Sequence, residues 1–183
     1  MIKIVGVSGS IGSPSRTRAL VEQVLARASH QAPSKIDLID IAEIAQELGS
    51  TVSYDRLPAV VAESFRKLAD ADLIVIGTPV YKASYTGLLK HFFDLLDPKL
   101  LLGKTAILGA TGGSDQHALV LEYQLRPLAS FFGVATTPTA VYARDIEFID
   151  YQLNNDAIFL RIDQALAQAF SMIPADSAVA LAA

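Results

Sequence analysis

Cysteine is absent from the 183 residues, and with it go disulfides, thiolate catalysis, zinc ribbons and thiolate-held iron–sulfur clusters. A reducing, cytoplasmic setting is the expectation. No stretch approaches the roughly 18 uninterrupted apolar residues of a membrane span. The opening Met-Ile-Lys-Ile-Val-Gly-Val lacks both a basic n-region and a long apolar h-region, so neither insertion nor secretion is expected. An excess of positive charge is missing as well: 15 Lys+Arg against 19 Asp+Glu leave a formal charge of −4, which argues against a nucleic-acid partner.

Other absences narrow the chemistry. His30, His91 and His117 have no metal-like spacing, and without cysteine no metal site is expected. His30 and His91 read as solvated helix residues. The dinucleotide fingerprint Gly-x-Gly-x-x-Gly does not occur, since the early glycines fall at Gly6, Gly9 and Gly12. Gly103-Lys104-Thr105 resembles the end of a Walker A loop, but Pro98 stands where its first glycine belongs and the segment leads into a strand.

What is present is apolar. Hydrophobic residues make up 51% and charged residues 19%, the balance of a chain that builds a core rather than a disordered one. At this length folding buries about 70% of the unfolded surface, so one domain without staples is feasible. It is expected over residues 1–172, with 173–183 as a tail. The Ala-rich stretch 171–183 reads as frayed or as an oligomer contact.

Residues 2–7, rich in Ile and Val with little alternation, read as a parallel strand buried on both faces. A Ser, Gly and Pro loop follows, then a one-sided helix over 16–28 carrying Leu20, Val21, Val24, Leu25 and Ala28. A second strand is expected at 36–41, a mixed stretch at 43–57, and a helix at 59–69 opened by Pro58. Residues 73–77 form the clearest buried strand, stopped by Thr78-Pro79. Helices at 87–96, 116–132 and 155–170, with strands at 105–110 and 135–142, complete the pattern. Five strands alternating with helices imply a doubly wound five-stranded parallel sheet, a three-layer α/β/α sandwich.

In such a sheet ligands bind beyond the carboxyl ends of the strands. That rule selects residues 8–18, 78–86 and 111–117. The first loop sets the hydroxyls of Ser10, Ser13, Ser15 and Thr17 where a helix start leaves backbone amides unpaired, an anion cradle to which Arg16 adds a bidentate cation. The alternative is a Ser-rich turn that caps the helix. The second loop, Thr78-Pro-Val-Tyr-Lys-Ala-Ser-Tyr-Thr-Gly87, suits a flat heteroaromatic ring against Tyr81 or its backbone, or else packs its aromatics, Tyr85 above all, on the core. The third, Thr111-Gly-Gly-Ser114, lets a ligand approach the backbone, or is simply a tight turn. Asp145, Glu147 and Asp150 follow the last strand and read as a solvated linker.

Together Gly-Ser-x5-Ser-Arg-Thr, Thr-Pro-Val-Tyr-Lys-Ala-Ser-Tyr-Thr-Gly-Leu-Leu-Lys and Ala-Thr-Gly-Gly-Ser resemble the NAD(P)H-dependent FMN reductases of flavodoxin-like fold. The likeness is greatest to those that feed reduced FMN to alkanesulfonate or related organosulfur monooxygenases. It implies that Ser10, Ser15, Arg16 and Thr17 hold the FMN phosphate. Pro79, Val80, Tyr81 and Lys82 would run along one edge of the isoalloxazine, and Thr111, Gly112, Gly113 and Ser114 would border the other. The implied cofactors are FMN and NAD(P)H, with no catalytic side chain needed for hydride transfer. The resemblance further implies a homodimer or homotetramer whose interface includes residues 121–127, with a π-bulge at Tyr123 and a role for that tyrosine there or in flavin release. His117 opens this helix, as a nicotinamide or flavin contact or a plain surface residue.

Three rivals share the topology. A flavodoxin-like electron carrier clamps its ring between aromatics, which the third loop does not offer. A phospho-receiver domain needs acids where Ser8-Gly9-Ser10 and Thr78-Pro79 stand. A quinone, azo-dye or metal-ion reductase with bound FMN is poorly separated by sequence.

Overall fold

Ile- and Val-rich runs with no polar side form β1 (Ile2–Ser8), β3 (Leu73–Pro79) and β4 (Thr105–Gly112), which are buried along most of their length. In the computed structural model, which describes residues 1–173, they are the middle of a parallel sheet ordered β2-β1-β3-β4-β5, with β2 at Ser34–Asp40 and β5 at Ala135–Thr136. The pairing sets Val7 against Ile76 and Ile76 against Leu108, so β1, β3 and β4 end side by side at one edge.

Because side chains alternate across a strand, each face gathers its own core. Ile4, Leu73, Val75 and Ile107 meet Leu20, Val21 and Val24 of α1 (Arg16–Gln31). On the same face Ile162 and Leu166 of α6 (Asp156–Met172) close the layer. Val5, Val7, Ile74, Ile76 and Leu108 meet Phe65 of α3 (Ala59–Asp70) and Phe92 and Phe93 of α4 (Gly87–Asp94). Leu48 of the short α2 (Ala45–Ser50) and Ala129 of α5 (Arg126–Phe131) extend that second core. A Cβ on Gly6 would stand 2.6 Å from Val21, so the missing side chain is what lets α1 settle on the sheet.

The architecture expected from the alternating pattern is the one observed, with differences of physical origin. Helix α1 continues past residue 28 to Gln31, and β2 begins at Ser34 rather than 36. The fifth strand is interrupted: β5 and β6 (Val141–Arg144) both pair with β4, but the register slips by two residues between Thr105↔Ala135 and Gly109↔Val141. Pro138 falls in the gap and has no amide for the ladder. There Thr137 donates its amide to Ala106 at 2.9 Å, and Thr139 donates to the Gln168 side chain of α6 at 2.9 Å.

Three further expectations are corrected. The continuous helix over 116–132 is a 3₁₀ turn at Asp115–His117, a π-helical turn at Leu121–Leu125 and then α5. Pro127 has no amide to give the carbonyl of Tyr123, four residues back. His91 is not a solvated residue; it is half-buried, with Nε2 3.0 Å from the Leu48 carbonyl and 2.8 Å from that of Thr51, tying the end of α2 to α4. The stretch after β6 is not a solvated linker either. A 3₁₀ turn at Asp145–Glu147 leads into an antiparallel hairpin, β7 (Phe148–Ile149) and β8 (Gln152–Leu153), whose Phe148 and Leu153 enter the core. The Ala-rich tail meets α6 at Ser171 and Met172, packs Ile173 against the core, and from residue 174 onward lies outside the described residues. Among the described residues no helix is long and apolar enough to cross a membrane.

Phe92 is fully buried, edge-on to Phe65 with ring centroids 5.0 Å apart and to Phe93 at 5.7 Å. Phe92→Ala is expected to lower stability by about 3–5 kcal/mol through the cavity it leaves. Urea unfolding checks this: the midpoint should fall with the slope unchanged.

Candidate functional site

The first loop leaves β1 at Ser8 and returns as α1. Ser15 caps that helix, its Oγ accepting the Arg18 amide at 3.1 Å, so the capping alternative describes one of its hydroxyls. Residues in a first helical turn have no intrahelical acceptor for their amides, which leaves those of Arg16 and Thr17 at the positive end of the α1 dipole. They open onto a cavity of about 310 Å³ walled by Ser10, Ser15, Arg16 and Thr17. Pro79, Val80 and Tyr81 of the second loop and Thr111, Gly112 and Gly113 of the third complete these walls.

Hydrogen bonds knit the three loops into one rim. Gly9 donates its amide to Gly77 at 2.7 Å, and the Thr86 hydroxyl donates to the Gly9 carbonyl at 2.7 Å. Val80 donates its amide to Thr111 at 2.8 Å. The buried hydroxyls of Thr17 and Thr111 meet at 2.6 Å. Beneath the third loop the Tyr142 hydroxyl donates to the Ser114 carbonyl at 2.6 Å. A Cβ on Gly112 would collide with that phenol, which accounts for the glycine. Burial, and then the charges of Asp115 and Asp145, raise the Tyr142 pKa, so the phenol keeps the proton it donates.

Ten of the twelve residues expected at the site share this cavity, and two do not. Lys82 occupies the tip of a tight turn with Ala83, at φ of 50° and 66°, closed by Tyr81 donating to Ser84 at 2.9 Å and Ser84 to Tyr81 at 3.1 Å. That turn carries Lys82 out into solvent, away from the walls. Ser114 is held by its carbonyl bond to Tyr142 and lies behind the rim. The amides of Val80 and Tyr81 are occupied within the protein, whereas, among the described residues, those of Gly113 and Ser114 have no protein acceptor.

Four wall residues fall outside the expected twelve: Gly12 and Pro14, which belong to the first loop, and Asp145 and Tyr151, which belong to none of the three loops. The Arg16 guanidinium lies 4.9 Å from the Tyr151 ring centroid, and its Nε stands 3.8 Å from Asp145 Oδ1. That Nε is buried and makes no hydrogen bond. The signal was available, because the strand-end rule picks this segment once the last strand is ended at Arg144 rather than at residue 142. The neighbouring Arg18 faces elsewhere, bonded to Glu22 at 2.9 Å, Glu43 at 2.6 Å and Asp40 at 2.8 Å; these carboxylates, Glu22 foremost, raise its pKa further. His117 lies outside the main cavity and lines, with Val80, Tyr123 and Gln124, a groove of about 190 Å³. A larger hollow of about 1000 Å³ lies between α3, α4 and α5, but Phe93, Phe131 and Phe132 make it apolar and it lacks the convergent polar groups of the rim.

Comparison with known proteins gives one consistent family. The family model described as NADPH-dependent FMN reductase matches residues 2–147. The chain is 44% identical over 168 residues to the NADH-dependent FMN reductase SfnF of Pseudomonas fluorescens, covering 92% of this chain and 90% of the relative. It is 40% identical over 167 residues to the FMN reductase (NADPH) of Pseudomonas aeruginosa, covering 91% and 90%. Among solved structures, the apo form of the NADH:FMN oxidoreductase EMOB superposes with a TM-score of 0.81 at 32% identity, covering 91% of this chain and 89% of that one.

Thr17→Val keeps the shape of the side chain and leaves the buried Thr111 hydroxyl without its partner. A stability loss of about 1–3 kcal/mol is expected, read from the shift in urea midpoint.

Proposed function

Because the chain belongs to the NADPH-dependent FMN reductase family, we propose that it reduces FMN held between its three loops and releases it to a partner monooxygenase of the alkanesulfonate type. NAD(P)H is the electron donor. The observation that carries the placement is the polar cavity at the start of α1, where two free amides and Arg16 converge beyond the carboxyl edge of the sheet. Its residues fit the group. The orphaned Nε of Arg16 awaits an acceptor.

In this reading the amides of Arg16 and Thr17, the Ser10 and Ser15 hydroxyls and the Arg16 guanidinium hold the phosphate. The Thr17 hydroxyl, bonded to Thr111, positions the loops instead. Ser15 accepts from the Arg18 amide and keeps its own proton to donate. Pro79, Val80 and Tyr81 follow one edge of the ring, and the free amide of Gly113, in the cavity wall, serves the negative charge that reduction builds. Lys82, at its exposed turn, is left for the nicotinamide dinucleotide. Bound flavin supplies the two-electron chemistry, taking hydride from the nicotinamide. The protein aligns the two rings, and the third loop sets no aromatic over the flavin face where nicotinamide stacks.

A flavin that is handed on is held moderately, near micromolar or about −8 kcal/mol. The proposed assembly is a homodimer or homotetramer in a cytoplasmic setting. Its contact surface is the π-helical turn, where Tyr123 is 72% and nearby Leu119 60% exposed.

Steady-state oxidation of NADH and of NADPH, each with and without added FMN, tests the activity. Turnover that rises with free FMN is expected, and oxidation indifferent to it would contradict a released flavin. Arg16→Ala is expected to weaken FMN binding by about 1–3 kcal/mol while leaving stability nearly unchanged, as read by flavin titration and urea unfolding. Tyr123→Ala is expected to shift the oligomer toward smaller species or to alter flavin release; size-exclusion and turnover identical to wild type would remove the tyrosine from both roles.

A further inference from the structure

Asp145 stands in the first turn after β6 and sets a carboxylate into the same wall as Arg16. Two of its acidic neighbours, Asp115 and Glu147, are matched. Arg144 donates to Asp115 at 3.0 Å and to Glu147 at 3.3 Å, and Glu147 also accepts the Arg144 amide at 2.7 Å. The Asp145 carboxylate, among the described residues, makes no hydrogen bond, and the cation within ion-pair distance of it is Arg16, at 3.8 Å. It also lies close above Gly113, where a Cβ would stand 3.9 Å from Oδ2, so it spans from the first loop to the third.

Arg16 has a second support. Tyr151 stacks on its guanidinium at 4.9 Å from a hairpin turn in which Asp150 and Tyr151 take φ of 47° and 62°. Such left-handed backbone is costly for residues other than glycine and persists where surrounding structure enforces it. Here the buried Phe148 and Leu153 of the hairpin do so. The arginine therefore has an aromatic contact that fixes it without Asp145, and the carboxylate adds negative charge where an anion is to bind.

We propose that Asp145 is an affinity-setting residue: its carboxylate competes with the flavin phosphate for Arg16 and weakens the hold on phosphorylated flavin. The inference rests on the reading that the FMN phosphate lies at the first loop. Its effect falls on the phosphate alone, because the carboxylate opposes a dianion and has no charge to oppose on riboflavin. A reductase that must let its product go benefits from such a counter-charge in the wall, where a carrier that keeps its flavin does not.

The test is fluorescence titration of FMN and of riboflavin against wild type, Asp145→Asn and Arg16→Ala, at low and at high salt. Asp145→Asn should bind FMN about five- to twentyfold more tightly at low salt. Riboflavin affinity should stay the same, and the gain for FMN should shrink as salt screens the site. Unchanged or weaker FMN binding by Asp145→Asn, with Arg16→Ala still weakening it, overturns the inference and leaves the phosphate at the first loop. An equal change for FMN and riboflavin also overturns it, placing Asp145 at the ring or the ribityl chain. Wild type that binds both flavins equally, with Arg16→Ala without effect, overturns the phosphate placement and the inference together.

Discussion

The hydroxyls of Thr17 and Thr111 meet at 2.6 Å in buried space where α1 begins and β4 ends. A hydroxyl pair shielded from water cannot exchange its partner for solvent without cost, so this contact fixes how far the first loop stands from the third. The second loop joins through Val80, whose amide reaches the same Thr111, and Thr86 fastens it back to Gly9. The cavity is thus a gap of set width between backbones. It is polar because its walls are helix-start amides, hydroxyls and one arginine rather than the side chains of a core.

That rim explains a division of labour among residues of the same type. Arg16 and Arg18 lie two positions apart at the start of one helix, yet one faces the cavity and the other is enclosed by Glu22, Asp40 and Glu43. Helical spacing of about 100° per residue separates neighbours two apart onto nearly opposite faces. Arg18 fastens α1 to the β2 edge, and Arg16 keeps a free donor for an anion. Likewise Thr17 lends its hydroxyl to architecture and retains its amide, and Ser15 caps the helix while keeping a proton to give.

The family's chemistry is undemanding of side chains, which fits a site with few of them poised as acids or bases. Hydride passes between two bound rings, so the protein's contribution is alignment and, on the proposed placement of the flavin, an open ring face and a phosphate grip of chosen strength. Strength is where Asp145 and Tyr151 enter: one adds a competing charge and the other steadies the arginine. Both come from a hairpin and turn set beyond an interrupted fifth strand, a stretch whose polarity alone suggested nothing more than a surface connection.

Local pattern determined most of the layout. The alternation of strands and helices, and with it the parallel sheet covered on both faces, followed from buried Ile and Val runs separated by one-sided helices, since right-handed crossovers leave few arrangements. The loops at the carboxyl edge followed from the same rule, and ten of the twelve expected site residues share one cavity. What pattern did not determine was anything set by long-range contact. The break at Pro138 is tolerated because Gln168, far along the chain, supplies an acceptor for Thr139. His91 is enclosed because α2 forms against α4, and a six-residue helix has too little periodicity to announce itself. Lys82 and Ser114 sit outside the wall because a tight turn and a tyrosine bond direct them there, and Asp145 and Tyr151 sit inside it because tertiary packing folds their hairpin back over α1. Sequence carries the periodicity that places elements; only the packed chain decides which atoms of neighbouring loops come within a hydrogen bond of one another.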